Sequence, residues 1–262
     1  MAKRKQPVDL DRKQTLKDVY RQNQYKLDDR FVLRDGKTHK CAIICPGGGY
    51  GMVCSFIEGT PIARRLNAMG ISAFIVYYRV RKKALYPNPQ DDLARAIAEI
   101  SKKAEEYQVD MTDYSIWGSS AGGHLVASFG TSSMGYVKYH LPKPGALVLS
   151  YPVITLTKDL THQGTRDNLI GKDAGEARAE AYSVDHHVDE AYPPTYIWCG
   201  TADTTVPPEN TRMMVKALRK EQIPYQCEIF EGVEHGVGPA TGTSAEGWIE
   251  HAVDFWQRQK NA

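Results

Sequence analysis

The sequence is short of several things that whole classes of protein require. Its 33 Lys and Arg are nearly matched by 31 Asp and Glu, leaving a formal charge of +2. No charge excess therefore argues for nucleic acid or an acidic polymer as partner. No apolar run is long enough to cross a membrane, and none follows the basic cluster Met1 to Lys5 as a secretory signal would need. Cytoplasmic placement, with no membrane partner, is the expectation. The five cysteines, Cys41, Cys45, Cys54, Cys199 and Cys227, are odd in number and form no C-x-x-C pair. That argues against a disulfide framework and against a zinc ribbon. All but Cys54 sit in apolar, strand-like runs, where reduced, buried thiols are expected. His186 and His187 are adjacent but have no carboxylate or cysteine at ligand spacing, so no metal or other cofactor is expected. With 42% hydrophobic and 24% charged residues, and no internal repeat, the 262-residue chain reads as one globular domain.

What is present is concentrated around Gly118-Ser119-Ser120-Ala121-Gly122. An apolar run from Tyr114 to Trp117 leads into it and a helix-compatible segment follows, which is the strand–turn–helix setting of a G-x-S-x-G motif centred on Ser120. Glycine two residues to either side lets the chain turn sharply enough to lift the hydroxyl clear of the sheet. The start of the following helix favours developing negative charge there. Ser119 does not fit the pattern, because Trp117 and Ala121 flank it at that spacing.

Along the chain, strands and helices alternate. Residues Asp11 to Gln22 predict a short helix, and Phe31 to Leu33 an edge strand. Cys41 to Cys45 is a continuous apolar strand, buried on both faces, and Pro46-Gly47-Gly48-Gly49 closes it. A helix from Thr60 to Met69 has Pro61 in its first turn and Gly70 just past its end. Then follow a strand from Ile71 to Tyr78, a long helix from Pro89 to Tyr107 and the Ser120 strand. Beyond the helix that starts near Ala121 comes a strand from Gly145 to Ser150. From Tyr151 to about Ala191 the periodicity is lost, which predicts an insertion or lid over the carboxyl edge of the sheet. Order resumes with a strand from Thr195 to Cys199, a helix from Pro208 to Glu221, a strand from Tyr225 to Phe230 and a last helix from about Glu246 to Lys260. The fold class is α/β: a doubly wound, mostly parallel sheet with helices on both faces, binding ligand at the carboxyl ends of its strands.

A serine hydroxyl needs a base to become nucleophilic. Of eight histidines, His235 alone follows a strand, in a Gly-bracketed loop after Phe230, at the edge that carries Ser120. His39 lies at the opposite edge, and His124, one turn along the helix from Ser120, is expected to pack or bond locally. The base needs a carboxylate to hold its tautomer. Asp203 follows the preceding strand, whereas Asp185 and Asp189 come before it. The order Ser120, Asp203, His235 is that of hydrolase-fold enzymes. Gly48 and Gly49, with the amide of Ala121, supply donors for an oxyanion. No Gly-Lys-Ser/Thr follows the glycines and no third fingerprint glycine is present, so neither a P-loop nor a dinucleotide site is indicated.

With these motifs assembled, the chain from Cys41 onward resembles an α/β-hydrolase of the esterase/lipase superfamily. It is most similar to small bacterial carbohydrate acetyl esterases and feruloyl-esterase-like proteins. The marks are P-G-G-G-Y at Pro46 to Tyr50, G-S-S-A-G-G-H-L at Gly118 to Leu125, T-A-D-T-T-V-P at Thr201 to Pro207 and F-E-G-V-E-H-G at Phe230 to Gly236. Pro46 stands where lipase-like members have histidine. The resemblance implies Ser120 as nucleophile, His235 as base, Asp203 as its orienting carboxylate and Gly48, Gly49 and Ala121 as oxyanion donors. The expected activity is hydrolysis of small acyl esters, first of all acetyl groups on sugars or oligosaccharides. Tyr50, Tyr151 and Trp198 are candidates for stacking on sugar rings. An amidase, formamidase or small peptidase would use the same triad, and a binding protein that has lost catalysis is the remaining alternative. A homo-oligomer is compatible with the sequence, which does not report it.

Overall fold

The computed structural model describes residues 25–259; the helix expected over Asp11 to Gln22, and Lys260, lie outside them. Strand β1 (Lys26–Phe31) and strand β2 (His39–Cys45) are followed by a one-turn helix α1 (Ser55–Glu58) and by α2 (Thr60–Ala68). Next come β3 (Ser72–Tyr77), α3 (Asn88–Lys102), α4 (Ala104–Tyr107), β4 (Val109–Ser119), α5 (Ser120–Phe129) and β5 (Ala146–Ser150). Two helices, α6 (Gln163–Ile170) and α7 (Glu176–Ala181), precede β6 (Thr195–Gly200), α8 (Glu209–Lys220), β7 (Tyr225–Phe230) and α9 (Trp248–Gln259). The strands form one seven-stranded sheet in the order β1-β3-β2-β4-β5-β6-β7. Among the described residues only the β1–β3 pair is antiparallel.

The apolar runs become the central strands because both their faces are covered: every residue of β3 and β5, and of β2 from Cys41 onward, is buried. Ile43, Phe74, Leu147 and Ile197 have no solvent exposure, and each such side chain stabilises the fold by about 2–3 kcal/mol. On one side, Trp248 of α9 packs against Trp117 and Trp198 with ring centroids 5.9 and 5.2 Å apart. Parallel pairing aligns the carboxyl ends: Cys45 lies beside Gly118, Ser119 beside Ser150 and Gly200 beside Phe230. The loops that follow β2, β4, β6 and β7 therefore emerge along one edge.

Two expectations are corrected. The edge strand is Lys26–Phe31, earlier than Phe31 to Leu33. Its polar sequence has no alternating apolar signal; backbone pairing with β3 holds it, and its one buried residue, Asp28, bonds Arg30. The long helix expected from Pro89 to Tyr107 breaks at Lys103, which has φ −107° and ψ 18°, with no proline or glycine to announce it. The segment from Tyr151 to Ala191, expected as an insertion or lid over the carboxyl edge, has helices of its own. It carries α6 and α7, and Val153, Ile154, Leu156, Leu169, Ile170, Ala179 and Val184 join the main core. Its helices are too short to show a clear period, so their burial was hidden in the sequence.

Candidate active site

The site starts from a strained residue. Ser120, the first residue of α5 directly after β4, has φ +53° and is 7% exposed. The flanking glycines are required by close backbone approach. A Cβ on Gly118 would lie 2.4 Å from the carbonyl oxygen of Gly122. Ser120 Oγ is 2.9 Å from Nε2 of His235, and His235 Nδ1 is 2.6 Å from Asp203 Oδ2. The other carboxylate oxygen of Asp203 accepts the backbone N–H groups of Thr205 and Val206 at 3.0 and 2.8 Å. Asp203 is thus fixed by its own turn, with Oδ2 left for the imidazole. With Nδ1–H donating to that carboxylate, Nε2 is the acceptor facing the serine hydroxyl.

The loops that carry Asp203 and His235 are stitched together. Thr201 N–H donates to Phe230 O at 2.9 Å and Ala202 N–H to Val233 O at 3.1 Å. A Cβ on Gly200 would sit 2.0 Å from that same Val233 oxygen, so the two loops meet as closely as backbone allows.

The glycine loop lies directly over the serine: a Cβ on Gly47 would be 2.8 Å from Ser120 Cβ. Gly47 N–H donates to Glu58 Oε2 at 2.7 Å and is therefore occupied. Gly48 and Gly49 have φ +121° and +61°. Among the described residues their N–H groups have no protein acceptor. Ala121, fully buried, follows Ser120 in the first turn of α5. The site therefore juxtaposes a hydroxyl, an imidazole held in one tautomer, and glycine amides at the mouth of a sheet edge.

The three aromatic candidates are placed differently from expectation. Tyr50, Tyr151 and Trp198 are 0%, 1% and 0% exposed. Their polar tips are engaged: Tyr50 hydroxyl with His124 Nδ1 at 3.2 Å, Tyr151 hydroxyl with Glu58 Oε1 at 2.9 Å, and Trp198 Nε1 with Ser150 Oγ at 3.0 Å. They offer no face to a sugar ring, because large rings at strand ends release the most apolar area when covered. The exposed apolar residues beside the glycine loop are Met52, Phe56 and Ile57. Ile57 reaches Gly238, in the stretch beyond His235.

Three residues were not singled out by the sequence. His162 caps α6, its Nδ1 accepting the N–H of Thr165 at 3.2 Å, and its ring rests on Gly49. Burial, and then the nearby His235, push its pKa down. Asn168 of the same helix donates to Gly49 O at 2.8 Å, so the segment after β5 forms a wall of the site. Glu58 is buried beneath the glycine loop; burial raises its pKa, against the opposing effects of Tyr151, Gly47 and His235. Nothing in Glu58-Gly59-Thr60-Pro61 distinguishes it from a solvated helix-end glutamate. His124 is buried between Tyr50 and the Tyr182 carbonyl, 3.0 Å from Nε2; it packs as expected, but its hydrogen-bond partners lie 74 and 58 positions away rather than locally. Among the described residues no group of three or more His, Cys, Asp or Glu could hold a metal, and no helix is long and apolar enough to cross a membrane.

A parallel sheet with its one antiparallel pair at the edge, and a serine on a strand-to-helix elbow, define an α/β-hydrolase. Within that class the chain belongs to the BD-FAE family, which it matches over residues 34–218; residues 179–261 also match the dienelactone hydrolase family. It is 30% identical to endo-1,4-beta-xylanase B of Butyrivibrio fibrisolvens, over 96% of this chain and 42% of that protein. It is 28% identical to an acetylxylan esterase of Xylanibacter ruminicola, over 80% of this chain and 43% of that one. The chain thus spans less than half the length of these curated relatives. Among solved structures it resembles an acetyl ester-xyloside bifunctional hydrolase of Caldicellulosiruptor lactoaceticus, with TM-score 0.79, 30% identity and coverage of 87% and 86% of the two chains.

Proposed function

We propose that the protein is a serine carboxylesterase that removes small acyl groups, with acetylated sugars or oligosaccharides as its substrate class. The observation that carries this reading is the unbroken line Asp203–His235–Ser120, at 2.6 and 2.9 Å, beneath the glycine loop. Ser120 Oγ attacks the ester carbonyl while its proton passes to His235 Nε2. The carbonyl oxygen gains the negative charge and accepts hydrogen bonds donated by the amides of Gly48, Gly49 and Ala121. Collapse of the tetrahedral intermediate breaks the bond to the alcohol, and His235 returns the proton to it. Water then repeats the sequence on the acyl-serine, releasing the acid. Asp203 keeps the imidazole oriented and stabilises its cation.

The substrate class draws support from the names of the relatives, an acetylxylan esterase and an acetyl ester-xyloside hydrolase. We read the whole chain as a single domain, with residues 151–191 walling the site. Acetate release from acetylated xylo-oligosaccharides, beside p-nitrophenyl acetate and a Ser120→Ala control, tests the proposal. Release from the oligosaccharide that disappears in the variant is the expected result. Turnover of the aryl ester alone would leave the esterase standing and reject the carbohydrate substrate. Undiminished activity of Ser120→Ala would reject the mechanism.

A further inference from the structure

Glu58, the last residue of α1, is 4% exposed, and among the described residues no lysine or arginine pairs with it. A buried carboxylate with no cation is costly and persists only where donors hold it. Here its two oxygens reach in different directions. Oε2 accepts Gly47 N–H at 2.7 Å, at the root of the glycine loop. Oε1 accepts the Tyr151 hydroxyl at 2.9 Å. That hydroxyl in turn accepts Gly238 N–H at 3.1 Å, three residues beyond His235. The Tyr151 ring lies edge-on to the His235 imidazole, with centroids 4.8 Å apart. One carboxylate thus connects the oxyanion loop and the chain that carries the base.

We propose that Glu58 is a positioning residue: acting through Gly47 and through Tyr151, it sets the glycine loop and the His235 loop over Ser120. Its negative charge also favours the imidazolium that His235 becomes when it takes the serine proton. The inference rests on the serine-esterase reading above. Glu58 carries no proton in the reaction; the proton moves from Ser120 to His235 and on to the leaving alcohol. By occupying Gly47 N–H it also leaves Gly48 and Gly49, not Gly47, to face an oxyanion. The titratable groups around Glu58 are Tyr151, Cys54, Tyr78 and His235. Those around His235 are Asp203, Tyr151, Glu58 and His162. Glu58 and Asp203 are the two carboxylates in that set.

The test compares kcat and KM, separately resolved, of the wild type, Glu58→Gln and Tyr151→Phe on p-nitrophenyl acetate, with Ser120→Ala as control and a melting curve for each. Glutamine keeps the shape but cannot accept from both donors and carries no charge. For Glu58→Gln, kcat should fall roughly tenfold to a hundredfold with KM little changed, as for a small misplacement of catalytic groups. Tyr151→Phe keeps the ring and cuts the link to Gly238, and its kcat should fall at unchanged KM. A folded Glu58→Gln enzyme with wild-type kcat overturns the inference. Should that variant fail to fold, wild-type kcat in Tyr151→Phe overturns it instead. An inactive wild type, or an active Ser120→Ala, would remove the esterase reading itself and is told apart by those two proteins alone.

Discussion

A Cβ on Gly122 would lie 2.0 Å from the carbonyl oxygen of Cys45. The first turn of α5 is therefore jammed against the end of β2, the strand that delivers the glycine loop. That contact holds the loop and the serine in register, and no side chain fits within it. Gly122→Ala should cost about 1–3 kcal/mol or more, as overpacking does where backbone cannot yield. Gly175 has φ −70° and nothing within 4 Å of an added Cβ, so Gly175→Ala should stay within about 0.5 kcal/mol. Thermal denaturation of the two variants against the wild type measures the contrast.

Ser120 holds its φ of +53° against the ordinary preference of an L-residue, a strain of about 1–2 kcal/mol that glycine does not bear. Ser120→Gly should consequently melt above Ser120→Ala, by about 2–4 °C in a chain of this size. Both should lose ester hydrolysis by several orders of magnitude, on the scale of removing the nucleophile of a triad. A melting curve and a p-nitrophenyl acetate assay on each variant check the two halves separately.

Gly49 combines φ +61° with a neighbour: an added Cβ would stand 3.1 Å from His162 Cε1. Gly49→Ala should strain the loop and push its amide from the position over Ser120. Displacing one oxyanion donor lowers kcat by about a hundredfold or more, while the sheet beneath keeps its folded far-ultraviolet circular dichroism. Steady-state kinetics with kcat and KM resolved decide it; a loss confined to KM would contradict the expectation.

Burial lowers the pKa of His124 from 6.5 to about 4. A group whose unfolded form takes up a proton first withdraws stability as pH falls. Between pH 6.5 and about 4 the unfolded chain protonates His124 while the folded chain does not. The contribution is complete above that window and falls by about 3 kcal/mol across it. His124→Gln, which retains hydrogen-bonding ends toward Tyr50 and the Tyr182 carbonyl, should flatten that part of the profile. Urea denaturation at a series of pH values reads the difference in slope.

Much of the architecture was legible in order along the chain. Continuous apolar runs such as Cys41 to Cys45 marked buried parallel strands, and Pro61 and Gly70 marked the ends of α2. Gly118 and Gly122 marked the elbow, because a sharp turn writes its demand for glycine into adjacent residues. Chain order placed Ser120, Asp203 and His235 at one sheet edge for the same reason: in a parallel sheet every residue just past a strand arrives on the same side. The sequence by itself thus determined local backbone geometry and topology. Only the tertiary structure decided which side chains face solvent and which meet across the fold. Tyr50, Tyr151 and Trp198 went inward, Met52, Phe56 and Ile57 were left outside, and the segment after β5 joined the core. Glu58 was drawn beneath the glycine loop toward a tyrosine 93 positions away. Burial and long-range hydrogen bonding depend on residues remote in sequence, and no short stretch of chain records them.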